Sequence, residues 1–446
     1  MDAPEIRYAR SGEAAIAYAV TGSGPPDLVF IPGGFQHLGL WWDNEPRADL
    51  GRRLSEIARL IQFDKRGTGL SDRGRGDSLE TRMDDIRAVM DAADSARAIV
   101  FAVHDTAPLA FLFAATFPER VAGLVLWHPS SAFVRVPDQP WLPTRAEYES
   151  WYEEQARRWG DPEYWDGLLR TIAPSLRTAE ERADFARVLR FSVTPGDARA
   201  FARTNMEIDV RHVLPAVAAP ALVLARESWG EEVARSRYHA ERLPNGRLGL
   251  VGGVDRIPSV GDHAAVVGTV AAFLDEVEAS APAEPERVLA TVLFTDIVGS
   301  TERAAELGDA AWSSLLRSHH GLVRRELARY RGREMDTAGD GFFATFDGPA
   351  RAIRCACAVR DAVQELGLEI RAGLHAGECE LLDGKAAGIA VSIGARVAST
   401  AMAGEVLVSS TVRDLVAGSG IAFDERGETA LKGVPGEWRL FAVESA

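Results

Sequence analysis

Residues 275–287 read Asp-Glu-Val-Glu-Ala-Ser-Ala-Pro-Ala-Glu-Pro-Glu-Arg, acidic, rich in alanine and proline, and without apolar periodicity. Such a stretch has nothing to bury, and its prolines break any helix or strand that reaches them. It reads as a linker over 276–287 between two separately folded parts. At 446 residues the chain is also too long for one ordinary core. Before the linker, short apolar runs at 28–31, 60–63, 99–103, 121–127 and 221–224 alternate with helical sequence. That alternation predicts βαβ units and a mostly parallel sheet across residues 1–275. Residues 135–215 interrupt it with helical sequence bearing Trp141, Trp151, Trp159 and Trp165, the pattern of a lid laid over a sheet. The tryptophans either line a pocket or pack the lid itself. After the linker come a strand over 288–294, a helix near 309–330, a hairpin around 339–341 and a helix near 348–366. A strand, a helix and a strand follow, so residues 288–446 are expected to form an α+β domain.

A net charge of −15 and the lack of any basic run argue against a nucleic-acid surface. The most apolar window, 98–117, is broken by His104, Asp105 and Pro108, which argues against a membrane span. With no recognisable signal peptide, a cytoplasmic location is expected. Cys355, Cys357 and Cys379 lack metal-ligand spacing. Cys355 falls on a helical stripe with Ala352, Val359 and Val363, as a reduced core thiol would.

Two aspartates hold most of the functional information. Asp296 stands in Phe294-Thr-Asp-Ile-Val-Gly-Ser-Thr301, and Asp340 in Thr337-Ala-Gly-Asp-Gly-Phe-Phe343. Carboxylates fixed at the ends of buried strands, close to glycine, suit a hard cation and a polyphosphate. Beyond Asp296, Val298, Gly299, Ser300 and Thr301 enter a helical segment whose backbone N–H groups can cradle phosphate. His319, His320 and His375 have no carboxylates at metal spacing and read as packing residues.

Residues 1–275 resemble the α/β-hydrolase fold. The resemblance rests on Ile31-Pro-Gly-Gly34 at the oxyanion-loop position, on Phe63-Asp-Lys-Arg-Gly-Thr-Gly-Leu-Ser-Asp72, and on Phe113-Ala-Ala-Thr-Phe-Pro-Glu-Arg-Val121. Such enzymes carry a nucleophile on a Gly-x-Ser-x-Gly elbow. Counting back from Pro118 places the nucleophile position on His104, flanked by Ala102 and Thr106 instead of glycines. The acid position holds Ser228 or Trp229, with Glu227 and Glu231 nearby, and the histidine position holds Arg256. A one-residue shift offers Asp105 as a dehalogenase-like nucleophile, but no base histidine accompanies it. The triad is therefore expected to be degenerate, leaving a domain that senses a small molecule, dimerises or is vestigial. His104 and Arg256 are expected to meet in the old site, where they could hold an anion.

Residues 288–446 resemble the class III nucleotidyl cyclase catalytic domain, an α+β fold with a ferredoxin-like core. The resemblance puts Asp296 and Asp340 on the carboxylates that bind two divalent cations, Mg²⁺ or Mn²⁺, with the Ile297 carbonyl as a further ligand. It puts Arg371, in Ile370-Arg-Ala-Gly-Leu-His-Ala-Gly377, on a phosphate-facing arginine. Arg396, in Val391-Ser-Ile-Gly-Ala-Arg396, falls on the arginine that stabilises charge in the transition state, and Lys432, in Leu431-Lys-Gly-Val-Pro-Gly436, on the lysine for the terminal phosphates. Ser392 replaces the asparagine that orients the ribose, which predicts weaker positioning. The base-reading lysine of adenylyl cyclases is Asp336 here, and their base-reading aspartate is Lys385. An acceptor and a donor have changed places, so the pair fits the N–H and oxo groups of guanine or uracil. If Asp336 and Lys385 instead bridge one another, ATP stays the family default. The resemblance also implies a homodimer with shared sites, Asp296, Asp340 and Arg371 from one chain and Asp336, Lys385, Ser392, Arg396 and Lys432 from the other. A nucleoside triphosphate is then the expected substrate. Hydrolysis through Asp105 and a non-catalytic ligand-binding module are the competing readings.

Overall fold

The computed structural model describes residues 3–73, 78–280, 287–382 and 385–446, with 338, 381, 382 and 385 described for their backbone only. The chain forms two compact units, Met1–Pro285 and Glu286–Ala446.

The first unit contains β1 (Arg7–Ser11), β2 (Ala14–Thr21), β3 (Asp27–Ile31), β4 (Arg59–Phe63), β5 (Ala98–Val103), β6 (Val121–Trp127), β7 (Ala221–Arg226) and β8 (Gly246–Val251). They lie in one sheet in the order β1-β2-β4-β3-β5-β6-β7-β8, and every pairing from β4 to β8 is parallel. A parallel sheet is covered on both faces, so its strands are apolar throughout, and β5 is buried at every residue. That is why the central strands are legible in the sequence. β1, β2 and β8 are not among the expected strands. β8 lies at an edge and is only half-buried, so Gly246-Arg-Leu-Gly-Leu-Val251 shows no unbroken apolar run.

Between β6 and β7 lie helices Arg145–Arg157, Pro162–Ile172, Ala179–Ser192 and Pro195–Asn205. Each starts on a side-chain cap, from Thr144, Asp161, Thr178 and Thr194 respectively. These helices have a core of their own, in which Trp159 meets Phe35 at 5.7 Å and Trp165 at 5.2 Å between ring centroids. Trp159 and Trp165 thus pack the lid, whereas Trp151 lies on the surface.

Helix His263–Ala279 continues through Asp-Glu-Val-Glu-Ala, so the linker expected from residue 275 starts later. Those five residues carry no apolar stripe, but none of them is a helix breaker, and they extend the preceding buried turns. Residues 281–286 of that linker lie outside the described residues.

The second unit contains β9 (Arg287–Ile297), β10 (Arg333–Ala338), β11 (Gly341–Phe346), β12 (Ile370–Leu382), β13 (Lys385–Ala387), β14 (Val406–Ser409), β15 (Ala422–Ala430) and β16 (Glu437–Ser445). The order is β10-β11-β9-β12-β14-β16-β15, with β13 folded back on β12. Helices Pro349–Val363 and Ile389–Thr400 pack against β9 and β12. Ala352, Cys355, Val359 and Val363 are fully buried on one stripe, and burial pushes the Cys355 thiol up to about 12, which leaves it inert.

The second helix sits so close to the sheet that two glycines are required. A Cβ on Gly373 would lie 2.0 Å from the Ala398 backbone nitrogen, and one on Gly394 would lie 2.4 Å from a Val292 methyl. Gly373→Ala must push backbone against backbone and is expected to cost about 3 kcal/mol. Gly321, in helix Asp309–Arg329, faces open space, so Gly321→Ala should gain about 0.5 kcal/mol or more. Calorimetry of the full chain checks this: the transition of the second unit should fall with the first substitution and rise slightly with the second. An unchanged transition in Gly373→Ala would rule out the close approach.

Candidate functional site

The second unit gathers charge at one end of its sheet. β9 and β12 run antiparallel with Arg371 directly opposite Asp296, and β11 pairs with β9 through Phe342 opposite Thr295. One residue further along this ladder, Asp296 lies at the mouth of the β10–β11 turn that carries Asp340. Gly339 in that turn has φ +65°, a left-handed conformation that glycine adopts without strain. The cross-strand pairing also gives Arg371 a partner within the protein. Its guanidinium does not stand free for phosphate but donates to Asp296, with Nη2–Oδ2 2.6 Å and Nε–Oδ2 3.2 Å.

Asp340 presents the opposite case. Its Oδ2 is buried and has no hydrogen-bond partner among the described residues. A buried carboxylate oxygen without a donor is costly unless a cation completes it. Asp296 leaves Oδ1 outside its arginine contact. These two aspartates therefore fit divalent ions. No three His, Cys, Asp or Glu side chains converge at metal distances among the described residues.

Beside the pair opens a cavity of 330 Å³, lined by Phe294, Asp296, Asp336, Phe343, Arg371 and the 391–399 face of helix Ile389–Thr400. Phe294 and Phe343 stack in it at 4.6 Å, nearly parallel. Asp336 is exposed, and its one described partner is the adjacent Thr337 N–H at 3.0 Å. The neighbouring Glu334 is tied up by Arg324 at 2.7 and 2.8 Å, which holds its carboxyl down at about 2. Lys385 opposes Leu382 in the β12–β13 hairpin, and β13 touches β10, the strand of Asp336. The Lys385 side chain lies outside the described residues.

Ser392 and Arg396 are one turn apart on the exposed face of helix Ile389–Thr400, and Lys432 is exposed in the β15–β16 loop. None of the three has a side-chain partner among the described residues, and none lines the 330 Å³ cavity. The phosphate cradle is narrower than expected. The Val298 N–H donates to the Glu369 carbonyl at 2.9 Å, leaving Gly299, Ser300 and Thr301 at the start of helix Ser300–Leu307. Of the histidines, His319 is buried, His375 bonds Ser409 at 2.8 Å, and His320 bonds the Gly339 carbonyl at 3.0 Å.

In the first unit the positions of a hydrolase triad do converge. β5 ends in a tight turn into helix Ala107–Thr116, and His104 occupies it with φ +51°, the strained backbone of a nucleophile elbow. Arg256 Nη2 lies 2.6 Å from His104 Nε2, while Arg256 Nε and Nη2 reach Glu232 at 2.9 and 2.7 Å. Arginine only donates, so His104 Nε2 accepts and the ring proton sits on Nδ1. Burial, assisted by Arg256, pulls His104 down to about 4, so the imidazole is neutral at pH 7. Glu232, not Glu227 or Glu231, fills the acid's place. Burial alone would raise its pKa, but Arg256, Arg235, His104 and His128 together outweigh that and hold it at about 2.

This arrangement opposes acyl transfer and anion binding alike. The charge of Arg256 is already matched by Glu232. Asp105 is no free nucleophile: its Oδ1 accepts the Gly34 N–H at 2.6 Å, in the loop that would supply an oxyanion donor, and Lys65 lies 3.5 Å from Oδ2.

Residues 284–445 match the family model for the adenylate and guanylate cyclase catalytic domain, and residues 26–208 match that for the alpha/beta hydrolase fold. The chain is an α/β-hydrolase fold followed by a cyclase catalytic domain, which is of the nucleotidyl cyclase class. It is 29% identical over 244 residues to a pimeloyl-acyl-carrier-protein methyl ester esterase of Nitrosomonas europaea, covering 53% of this chain and 90% of the esterase. It is 24% identical over 217 residues to the receptor-type adenylate cyclase GRESAG 4.3 of Trypanosoma brucei brucei, covering 37% of this chain but 18% of that protein. Among solved structures, an esterase from Exiguobacterium antarcticum shares the first unit's fold, with TM-score 0.53, 16% identity, and coverage of 60% of this chain and 98% of that one.

Glu232→Gln tests how this network holds the Glu232 carboxylate. A carboxyl held at about 2 against its usual 4.5 contributes stability that is complete above pH 4.5 and is lost as pH falls toward 2. The variant should be less stable than wild type by about 2–3 kcal/mol at pH 7, and the gap should narrow below pH 4.5. Denaturant titration of the first unit at several pH values reads this directly, and a pH-independent gap would refute it.

Proposed function

We propose that the protein converts a nucleoside triphosphate to its 3′,5′-cyclic monophosphate and pyrophosphate, in a cytoplasmic homodimer whose sites are shared between chains. The observation that carries this reading is the buried, unpartnered Oδ2 of Asp340 set beside Asp296 at the end of a central strand. Asp296, Asp340 and the Ile297 carbonyl would hold two divalent cations, which supply charge neutralisation of the triphosphate and a more acidic 3′-hydroxyl. Arg371 keeps the Asp296 carboxylate in place until the site is loaded, and its guanidinium is then released toward phosphate. The N–H groups of Gly299, Ser300 and Thr301 receive phosphate oxygens at a helix start. Arg396 supplies positive charge where negative charge grows in the transition state, Lys432 binds the terminal phosphates, and Ser392 orients the ribose more loosely than an amide would.

The shared site is supported by the exposure of Ser392, Arg396 and Lys432 away from the 330 Å³ cavity. A chain that displays two cationic side chains without partners is suited to completing another chain's site. Asp336 favours a second reading of the substrate. Its carboxylate is clear of Arg324, so from the partner chain it can accept a hydrogen bond from the ring N–H of guanine or uracil, although it also lines the cavity beside Asp296 of its own chain. ATP remains the first assignment and GTP or UTP the alternative. The hydrolase-like unit is proposed to act without hydrolysis, as a regulatory platform for the cyclase unit.

Product analysis with all four triphosphates, in Mg²⁺ and in Mn²⁺, tests the proposal. Cyclic product is expected from at least one of them, and Asp296→Ala or Asp340→Ala should lower the rate by about 100-fold or more while circular dichroism is unchanged. Absence of cyclic product from every triphosphate would leave a nucleotide-binding module instead.

A further inference from the structure

Helix Asp309–Arg329 grips the β10–β11 hairpin at two points one helical turn apart. Arg324 bonds Glu334 on β10, and His320 Nε2 lies 3.0 Å from the carbonyl oxygen of Gly339. A carbonyl only accepts, so Nε2 carries the proton and donates. The His320 ring also meets Phe342 edge-on, with centroids 5.1 Å apart, and Phe342 stands opposite Thr295, the neighbour of Asp296. His320 thus touches the chain on both sides of Asp340.

A ring that only packs has no use for that bond. The hairpin ladder ends at Ala338 opposite Gly341, so the peptide between Gly339 and Asp340 lies beyond its last pair. Gly339 is left-handed at φ +65°, and glycine confines its own backbone less than any other residue. No strand pair then fixes the orientation of this peptide. Because a peptide unit is planar, fixing the Gly339 oxygen fixes the Asp340 nitrogen, and with it the direction in which the Asp340 side chain departs. The helix that supplies the bond is itself held by buried Leu322, Val323 and Leu327, so the clamp is anchored outside the turn. His319 takes the packing role: it is fully buried, lies 5.8 Å from the Phe342 ring, and neither ring nitrogen has a hydrogen-bond partner among the described residues.

We propose that His320 is a positioning residue for the metal-binding turn. Its N–H holds the Gly339–Asp340 peptide so that the Asp340 carboxylate keeps its place beside Asp296 before a cation arrives. The assignment rests on the cyclase reading, in which Asp340 binds a divalent ion.

Three full-length variants test this. His320→Phe keeps a ring against Phe342 and loses the N–H, His320→Gln keeps an N–H donor at similar reach, and Asp340→Ala removes the carboxylate. In His320→Phe the Mn²⁺ concentration for half-maximal formation of cyclic product should rise about tenfold, while the rate at saturating metal falls about threefold or less. His320→Gln should recover most of that shift. Hydrogen exchange, read without metal or nucleotide, should quicken about fivefold at the amides of 339–342 in His320→Phe and stay unchanged in β9 and β12. A folded His320→Phe with wild-type metal dependence, an equal loss in His320→Gln, or unchanged exchange in the turn overturns the assignment alone. No cyclic product from wild type, or full activity in Asp340→Ala, overturns the cyclase reading and the assignment with it.

Discussion

The long antiparallel pairing of β9 with β12, from Ile297 opposite Ile370 to Arg287 opposite Glu380, holds the second unit's chemistry in register. Helix Ile389–Thr400 can lie on these strands only because Gly373 and Gly394 leave room for it. The same ladder sets Arg371 across from Asp296, and β11 brings Asp340 alongside. A one-residue slip would turn every one of these side chains to the other face. The placement of Asp296, Arg371 and Asp340 is thus a product of strand register, with the tight turn at Gly339 completing it.

The two units treat charge differently. In the first, Arg256 bridges His104 and Glu232, Arg235 lies 3.4 Å from Glu232 Oε2, and Gly34 holds Asp105, though that Oε2 has no hydrogen-bond partner among the described residues. Charges paired in this way leave little for a substrate to gain. In the second, Asp340 Oδ2 is buried and lacks a donor among the described residues, while Arg396 and Lys432 are exposed. Unsatisfied charge at a strand end is where cations and phosphates have something to contribute. The contrast supports placing the chemistry in the second unit although the first is larger.

Much of this was legible in the sequence, for physical reasons. Buried parallel strands are apolar throughout, so β3 to β7 stand out, while the half-buried edge strand β8 does not. Asp296 and Asp340 are legible because a carboxylate ending an apolar run is unusual. The meeting of His104 with Arg256 follows from fold register alone. Glu232 was missed: it lies inside helix Gly230–Arg242, three residues past Trp229 and next to Glu231, and only the three-dimensional reach of Arg256 singles it out. The Arg371–Asp296 contact and the occupied Val298 N–H were also out of reach, because they depend on cross-strand partners that no local spacing encodes.

The central claim is that one chain supplies the metal-binding half of a cyclase site and another supplies the cationic half. Mixing two inactive variants, Asp296→Ala and Arg396→Ala, is the most direct measurement of it. In a two-fold dimer each mixed pair regenerates one intact site, so an equimolar mixture should recover about a quarter of wild-type activity. A mixture that exchanges subunits yet stays as inactive as either variant alone would contradict the account.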